Sequence, residues 1–73
     1  MNNTQHSPDF AALALRARGM SDAGLLWSER DALDAATHAD ALDAAGVPVL
    51  KTGGYYRDEA SVFRVELLRR RRD

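Results

Sequence analysis

YYRDEASVFRVELLRRRR, residues 55–72, is the stretch that decides the fold, because its hydrophobic spacing and its charge placement agree. At about 100° per residue it carries one narrow apolar stripe, as a helix with one buried face requires. That stripe comprises Tyr56, Ala60, Phe63 and Leu67. Acidic residues stand near its start and arginines at its end, where each offsets the helix dipole. We therefore predict an amphipathic helix over 54–71.

A strand is the alternative for part of this stretch, 61–68. There Phe63, Val65 and Leu67 alternate with charged residues, which is the period of a strand. The flanking residues fit the start and stop chemistry of a helix, and no strong partner strand is visible. Helix is therefore the favoured prediction.

The chain begins with a polar segment and a short helix. Residues 1–6 have no pattern and are predicted to form a disordered tail. Ser7 as N-cap and Pro8 at the first helical position predict a helix over 8–18. Gly19 is predicted to close it in the left-handed conformation. The apolar face of this helix comprises Phe10, Leu13, Ala14 and Ala17.

The second helix, predicted over 21–45, contains an internal repeat. DALDAA occurs at 31–36 and again, nine residues on, at 40–45. Nine residues make about two and a half helical turns, so Leu33 and Leu42 would point to opposite sides of a straight helix.

Two arrangements accommodate this repeat. In one, the helix breaks near Thr37, where Thr37 and the three residues after it form a second capping pattern. In the other, the helix is straight and buried on both sides, which requires a partner subunit because so short a chain has few other segments. The sequence leaves both open.

Local signals mark both ends of the second helix. Ser21 is its N-cap candidate, and Gly46 is predicted to end it as a left-handed cap that brings Val47 against Leu42. An extended, partly buried segment is predicted over 47–50. The complete prediction is an all-α, three-helix arrangement.

Length and composition bound the class of protein. The 73 residues make one domain, 7–73, which buries only roughly 60% of the surface of its unfolded chain. The absence of cysteine excludes disulfides, thiolate zinc sites and cysteine nucleophiles. No apolar run approaches the roughly 20 residues of a membrane span, and the N-terminus lacks the features of a signal peptide. We expect a cytoplasmic protein without membrane contact, in the host cytoplasm if a phage encodes it.

The formal net charge of -1 hides a division of charge along the chain. Residues 21–45 hold six acids and one base, whereas residues 46–73 hold seven bases and four acids. One half could attract the other half, or a second copy of the chain.

The residues that catalysis or metal binding needs are scarce. His6 lies in the predicted tail, His38 is a polar surface residue, and no HxxxH or HExxH spacing occurs. The acids of the second helix are spread around it by the helical pitch and do not converge as an acid/base pair. We predict no catalytic residue, no metal site, no cofactor and no enzymatic activity.

The aromatic residues fit two predictions, packing in the core or contact at an interface. Leu26 and Trp27 are neighbours and cannot both face one core, and Tyr55 lies off the stripe that contains Tyr56. Tryptophan, tyrosine and arginine supply most of the binding energy of protein interfaces. The predicted interface, with a second copy or another partner, comprises Leu26, Trp27, Leu33, Leu42, Tyr55 and Tyr56.

The clustered arginines of the last helix are predicted to be either a solvated helix end or a contact with an anionic partner. They are Arg69, Arg70, Arg71 and Arg72, and Glu66 is placed to pair with Arg70 one turn on. A DNA-binding domain normally has a pI above about 9. This chain has a pI of about 6.1, so nucleic acid is disfavoured as the partner.

FAALALRARGMSDAGLLWSERDAL, residues 10–33, resembles a helix-turn-helix, with Gly19 in the turn and Leu25 packing from the second helix. It departs from that family at Leu15, where a small residue is expected, and at Ser28, where an apolar one is. The acids of its second helix would repel phosphates. The resemblance implies a small DNA-binding regulator as an alternative function.

A short helix, the RGMSDA turn at 18–23, a longer helix and the GYYRDEASVFRVELLRRR segment at 54–71 together resemble small helical proteins encoded in phage and prophage accessory regions. Such proteins often bind and block a host protein, including defence components and transcriptional regulators. The resemblance implies a non-enzymatic, homodimeric inhibitor of a host protein. A structural component of phage assembly is a second alternative.

Overall fold

The computed structural model describes residues 4–72 and has three helices, α1 (Phe10–Arg18), α2 (Asp22–Ala44) and α3 (Gly53–Arg72). No β-strand occurs within those residues. The predicted all-α, three-helix arrangement is confirmed. The segment 61–68 is helical, as favoured.

The segment before α1 is ordered where the sequence predicts a tail. The Gln5 amide donates to the Leu50 carbonyl oxygen at 2.8 Å, and the Thr52 amide donates to the Gln5 carbonyl oxygen at 3.0 Å. These bonds join main-chain groups far apart in sequence, so side-chain patterning does not reveal them. Residues 4 and 5 of the predicted tail are thus hydrogen-bonded to the link that precedes α3, and residues 1–3 lie outside the described part of the chain.

α1 begins two residues later than predicted. Asp9, not Ser7, is its N-cap, and the Asp9 carboxylate accepts from the Ala12 amide at 3.1 Å. Pro8 is buried ahead of the helix rather than standing in its first turn. A carboxylate both caps the free amides and offsets the helix dipole, which explains why Asp9 takes this position.

The link between α1 and α2 differs from its prediction at one glycine. Gly19 has φ -87° and ψ -2°, so it is not left-handed, and its amide donates to the Arg16 carbonyl oxygen at 3.1 Å. Ser21 is the N-cap of α2 as predicted, since its hydroxyl accepts from the Gly24 amide at 3.0 Å.

α2 is continuous through Thr37, so the predicted break does not occur. Burial on both sides is not observed within one chain, because Leu33 is exposed and Leu42 is half-buried. The Thr37 hydroxyl donates to the Leu33 carbonyl oxygen at 3.3 Å instead of capping a new helix. Gly46 is left-handed, with φ 78°, as predicted. The Val47 amide donates to the Leu42 carbonyl oxygen at 2.9 Å, which closes α2.

The link from α2 to α3 is more exposed than predicted. Of the residues 47–50, only Val49 is half-buried. α3 starts at Gly53, where the Thr52 hydroxyl accepts from the Tyr55 amide at 3.2 Å. The helix thus begins earlier than predicted, and its acids at 58 and 59 lie beyond the first turn.

The core lies where α1 and α2 meet α3. It comprises Leu13, Ala17, Leu25, Phe63 and Leu67. The predicted stripe of α3 is buried except for Tyr56, which is half-buried. The buried face of α1 is narrower than predicted. Phe10 and Ala14 are exposed, because α1 packs mainly on α3.

Small residues allow α2 and α3 to pack closely. Those buried on the two helices are Ala32, Ala36, Ala39, Gly53 and Ala60.

Three ion pairs join acids of α2 to arginines of α3, namely Asp40 to Arg57 at 2.7 Å, Glu29 to Arg64 at 3.3 Å and Asp22 to Arg70 at 2.7 Å. Acids later in α2 pair with arginines earlier in α3, which shows that the two helices are antiparallel. The acidic half of the sequence therefore attracts the basic half within one chain.

Gly53 provides a test of this close packing. A β-carbon there would overlap the Asp40 carboxylate and lie 3.1 Å from the Ala36 carbonyl oxygen, which is main chain and cannot rotate away. We expect Gly53→Ala to lower the free energy of unfolding by about 1–3 kcal/mol, measured by urea denaturation.

Gly54→Ala is the matched control for Gly53→Ala. A β-carbon on Gly54 would have the Thr52 hydroxyl oxygen as its nearest neighbour, at 3.7 Å. Alanine is also the better helix former, by about 1 kcal/mol. Gly54→Ala should therefore be neutral or stabilising, and equal losses in the two variants would contradict the close approach at Gly53.

Candidate protein-interaction surface

One side of α3 faces away from the core and is apolar at its centre. Positions 58, 61, 65, 68 and 72 follow a spacing of three and four residues, which places them on one side of a helix. We call Ser61, Val65 and Leu68 the outer row. Val65 is 63% exposed and Leu68 is 50% exposed. Large apolar side chains thus stand uncovered along the outside of the helix that the other two helices pack against.

Two grooves border the outer row. Phe10, Ala14 and Val62 line the first, of about 330 Å³, which lies between α1 and α3. Leu33 lines the second, of about 410 Å³, which lies between α2 and α3. Ser61 and Val65 line both grooves, so they connect them.

The outer row and the groove walls form one continuous surface. We define the apolar face as Phe10, Leu33, Ser61, Val65 and Leu68. All five residues are exposed. Clustered exposed apolar residues, unlike scattered ones, mark interaction sites.

The predicted interface residues of α2 do not all share this surface. Leu33, 46% exposed, belongs to the apolar face, and Leu26, seven residues earlier, lies on the same side of α2. Trp27 is 67% exposed but lies about 100° further around the helix than Leu26. The three side chains are uncovered, and Trp27 faces another direction.

The other predicted interface residues make contacts within the chain. Leu42 and Tyr56 are half-buried and line a hollow beside the link from α2 to α3. The Tyr55 ring stands edge-on to the Tyr56 ring, with 5.7 Å between centroids, and the Lys51 ammonium lies 4.8 Å from the Tyr55 centroid. The geometry does not join these side chains to the apolar face.

Arg70 has a structural role at the end of α1. Its Nη1 donates to Asp22 Oδ1 at 2.7 Å, and its Nη2 donates to the carbonyl oxygens of Ala17, Arg18 and Met20 at 3.3, 3.2 and 2.8 Å. The last carbonyls of a helix have no partner within it, and Arg70 supplies one. This candidate contact for an anionic partner therefore ties α1 to α3.

Glu66 is buried beneath two arginines. Its Oε2 accepts from Arg69 Nη2 at 2.6 Å and from Arg70 Nε at 2.8 Å, which is the predicted pairing one turn on. Its Oε1 accepts from Arg69 Nε at 3.1 Å. Hydrogen bonds from Arg69, and then from Arg70, lower the pKa of Glu66 from 4.5 to about 2.

This pKa predicts how stability depends on pH. Because the folded-state pKa of Glu66 lies below its ordinary value, the native state holds a charged carboxylate where the unfolded chain binds a proton. The resulting stabilisation is fully present above pH 4.5 and is lost as the pH falls to about 2. We expect Glu66→Gln to be less stable than wild type at pH 7 and to differ less from it at pH 2, measured by urea denaturation at both values. A constant difference would contradict this role of Glu66.

Arg71 and Arg72 are exposed and stay candidates for contact with an anionic partner. Along the same side of α3, Asp58 precedes the outer row and Arg72 follows it. Among residues 4–72, neither the Arg72 guanidinium nor the Asp58 carboxylate forms an ion pair. This side of α3 is therefore acidic at its start, apolar in its middle and basic at its end.

The described part of the chain contains no group of three histidine, cysteine, aspartate or glutamate side chains placed to hold a metal ion. Every buried side-chain nitrogen or oxygen in that part has a hydrogen-bond partner. No helix there is both long enough and apolar enough to cross a membrane.

Comparisons with protein-family models, with curated proteins and with solved structures found no match for this chain. The resemblances to a helix-turn-helix and to phage accessory proteins therefore stay predictions.

Sequence reasoning missed most of the apolar face. The sequence places Phe10 on the apolar stripe of the first helix, and Val65 only in a strand-like alternation with Phe63 and Leu67. One signal could have found the outer row. Ser61, Val65 and Leu68 follow helical spacing, opposite the predicted buried stripe.

Proposed function

We propose that this protein is a non-enzymatic, helical interaction module that binds a protein partner through its apolar face. The observation that carries the proposal is the exposure of Val65, which lines two connected grooves, and of Leu68, one turn further along α3. A protein partner fits this surface because burying apolar side chains is the main favourable term in association.

The charges around the apolar face support a protein partner over a nucleic acid. Arg64, Arg69 and Arg70 pair with acids of the same chain, so their charges are already compensated before any phosphate is contacted. Acids on the exposed side of α2, such as Asp31 and Asp34, would repel them. No contact among residues 4–72 favours the helix-turn-helix regulator or the structural phage component.

The phage-related part of the proposal goes further. In that reading the module is a homodimer that binds and inhibits a host protein. Its support is the resemblance of the sequence to phage accessory proteins, together with a surface of the kind that binds proteins.

Site-specific photo-crosslinking tests the module. p-Benzoylphenylalanine replaces Leu68, on the apolar face, or Asp34, which is exposed on the side of α2 turned away from its buried row. The variants are irradiated in the organism that encodes the chain. We expect protein adducts from position 68, including adducts between copies of the chain, and few from position 34. Equal yields, or no adduct from position 68, would overturn the proposal.

A further inference from the structure

We propose that the apolar face binds a second copy of this chain, with the two α3 helices antiparallel and Val65 on the twofold axis. This inference rests on the proposed function, since it names the occupant of the same face. A twofold dimer needs one surface that is complementary to itself. The charges and the shape of the outer side of α3 meet that condition.

The charge pattern fixes the register of the pair. Asp58 lies seven residues before Val65, and Arg72 lies seven residues after it. Seven residues are two helical turns, so all three lie on the same side of α3. In an antiparallel pair centred on Val65, Asp58 of each copy meets Arg72 of the other. Both charges lack a partner among the described residues of one copy, and the dimer pairs each of them.

The apolar centre fits the same register. Leu68 lies three residues after Val65 and in the same row as Ser61, so it meets Ser61 of the other copy. The grooves on both sides of the outer row provide space for these side chains, and small Ser61 leaves room for the larger Leu68. A parallel pair would instead place Asp58 against Asp58 and Arg72 against Arg72, which is repulsive.

The size of the surface shows that α3 does not act alone. A standard stable interface buries about 800 Å² on each partner, which is a small part of the 5305 Å² that one copy exposes. The side of α3 from Asp58 to Arg72 is about 21 Å long and one helix, about 10 Å, wide. That strip is too small, so the groove walls must contribute. Phe10 and Leu33, one on each side, are therefore part of the inferred interface.

A charge exchange tests the register. We expect Asp58→Arg and Arg72→Asp each to raise the dissociation constant of the dimer about three- to tenfold, because each variant creates two like-charge contacts in a symmetric pair. The double variant, with both changes, should restore the wild-type constant within about twofold. Asp34→Arg makes the same change in net charge as Asp58→Arg, away from the face, and should leave the constant unchanged.

Val65→Lys is the stronger test, because it places two lysines against each other at the axis. We expect it to weaken the dimer by at least about 100-fold, since like charges opposed in an interface cost several kcal/mol. Val65 is exposed, so the fold should be kept, and circular dichroism at the same concentration checks this. Sedimentation velocity of the purified full chain, from 1 to about 300 µM, gives the constants.

The outcomes separate this inference from the proposed function. Weakening by each single charge variant and recovery in the double variant support the antiparallel pair. A wild-type chain that stays monomeric at about 300 µM overturns it. A dimer that the charge variants leave unchanged, or that the double variant weakens further, also overturns it. In those cases crosslinks from position 68 to a different protein still support the proposed function, whereas the absence of all adducts removes that function.

Discussion

Phe63→Ala is expected to lower the free energy of unfolding by about 3–5 kcal/mol. Phe63 is 1% exposed and is the largest fully buried side chain of the fold. A domain of 73 residues has a total stability of roughly 4–11 kcal/mol at ordinary values per residue. The cavity left by the ring thus costs a large share of the total. Urea denaturation followed by circular dichroism measures the loss, and the variant should be partly unfolded before urea is added if wild type lies at the low end.

Phe10→Ala is the matched control for Phe63→Ala, because it removes the same ring from a site that is 49% exposed. About half of the hydrophobic free energy of burying the ring is then removed, so the free energy of unfolding should fall by about 1 kcal/mol. Both variants are measured at several dilutions, since Phe10 also belongs to the apolar face. If Phe10→Ala costs as much as Phe63→Ala at the lowest concentration, the assignment of Phe63 to the core and Phe10 to the surface is wrong.

Leu25→Ala is expected to have the second largest effect, a loss of about 2–5 kcal/mol. Leu25 is fully buried at the start of α2, where it packs with the core residues of α1 and α3. The neighbouring Leu26→Ala removes the same atoms from a side chain that is 51% exposed, and it should cost about 1 kcal/mol or less. Thermal and urea unfolding of the pair measure the difference. Similar losses would mean that α2 is rotated from the orientation described here.

Features that depend on neighbouring residues followed from the sequence. The buried stripe of α3 was predictable because Ala60, Phe63 and Leu67 recur at helical spacing. Ser21 and Gly46 were predictable as helix ends because a cap involves only the residues next to it. The same local chemistry misled at Ser7, since Asp9 also caps well and only the packing of the preceding segment decides between the two.

Features that depend on distant packing were not predictable. α2 buries Ala32, Ala36 and Ala39, whereas the hydrophobic signal of its sequence is strongest at the leucines. A close contact between helices favours small residues, and no pattern within α2 indicates that it packs against Gly53 of α3. The apolar face was missed for the same reason. Whether Phe10 is covered depends on where α1 lies against α3, which no pattern within α1 determines.

The central claim is that the outer side of α3 binds a protein partner, which we infer to be a second copy of the chain. Methyl NMR spectra of the purified chain over a dilution series test it most directly. Leu33, Val65 and Leu68 should shift with concentration, whereas Val47 and Leu50, also exposed but outside the face, should not. Concentration-dependent shifts confined to the residues of the face are the predicted result. Shifts at Leu50 and Val47 with none at Val65 and Leu68 would contradict the account.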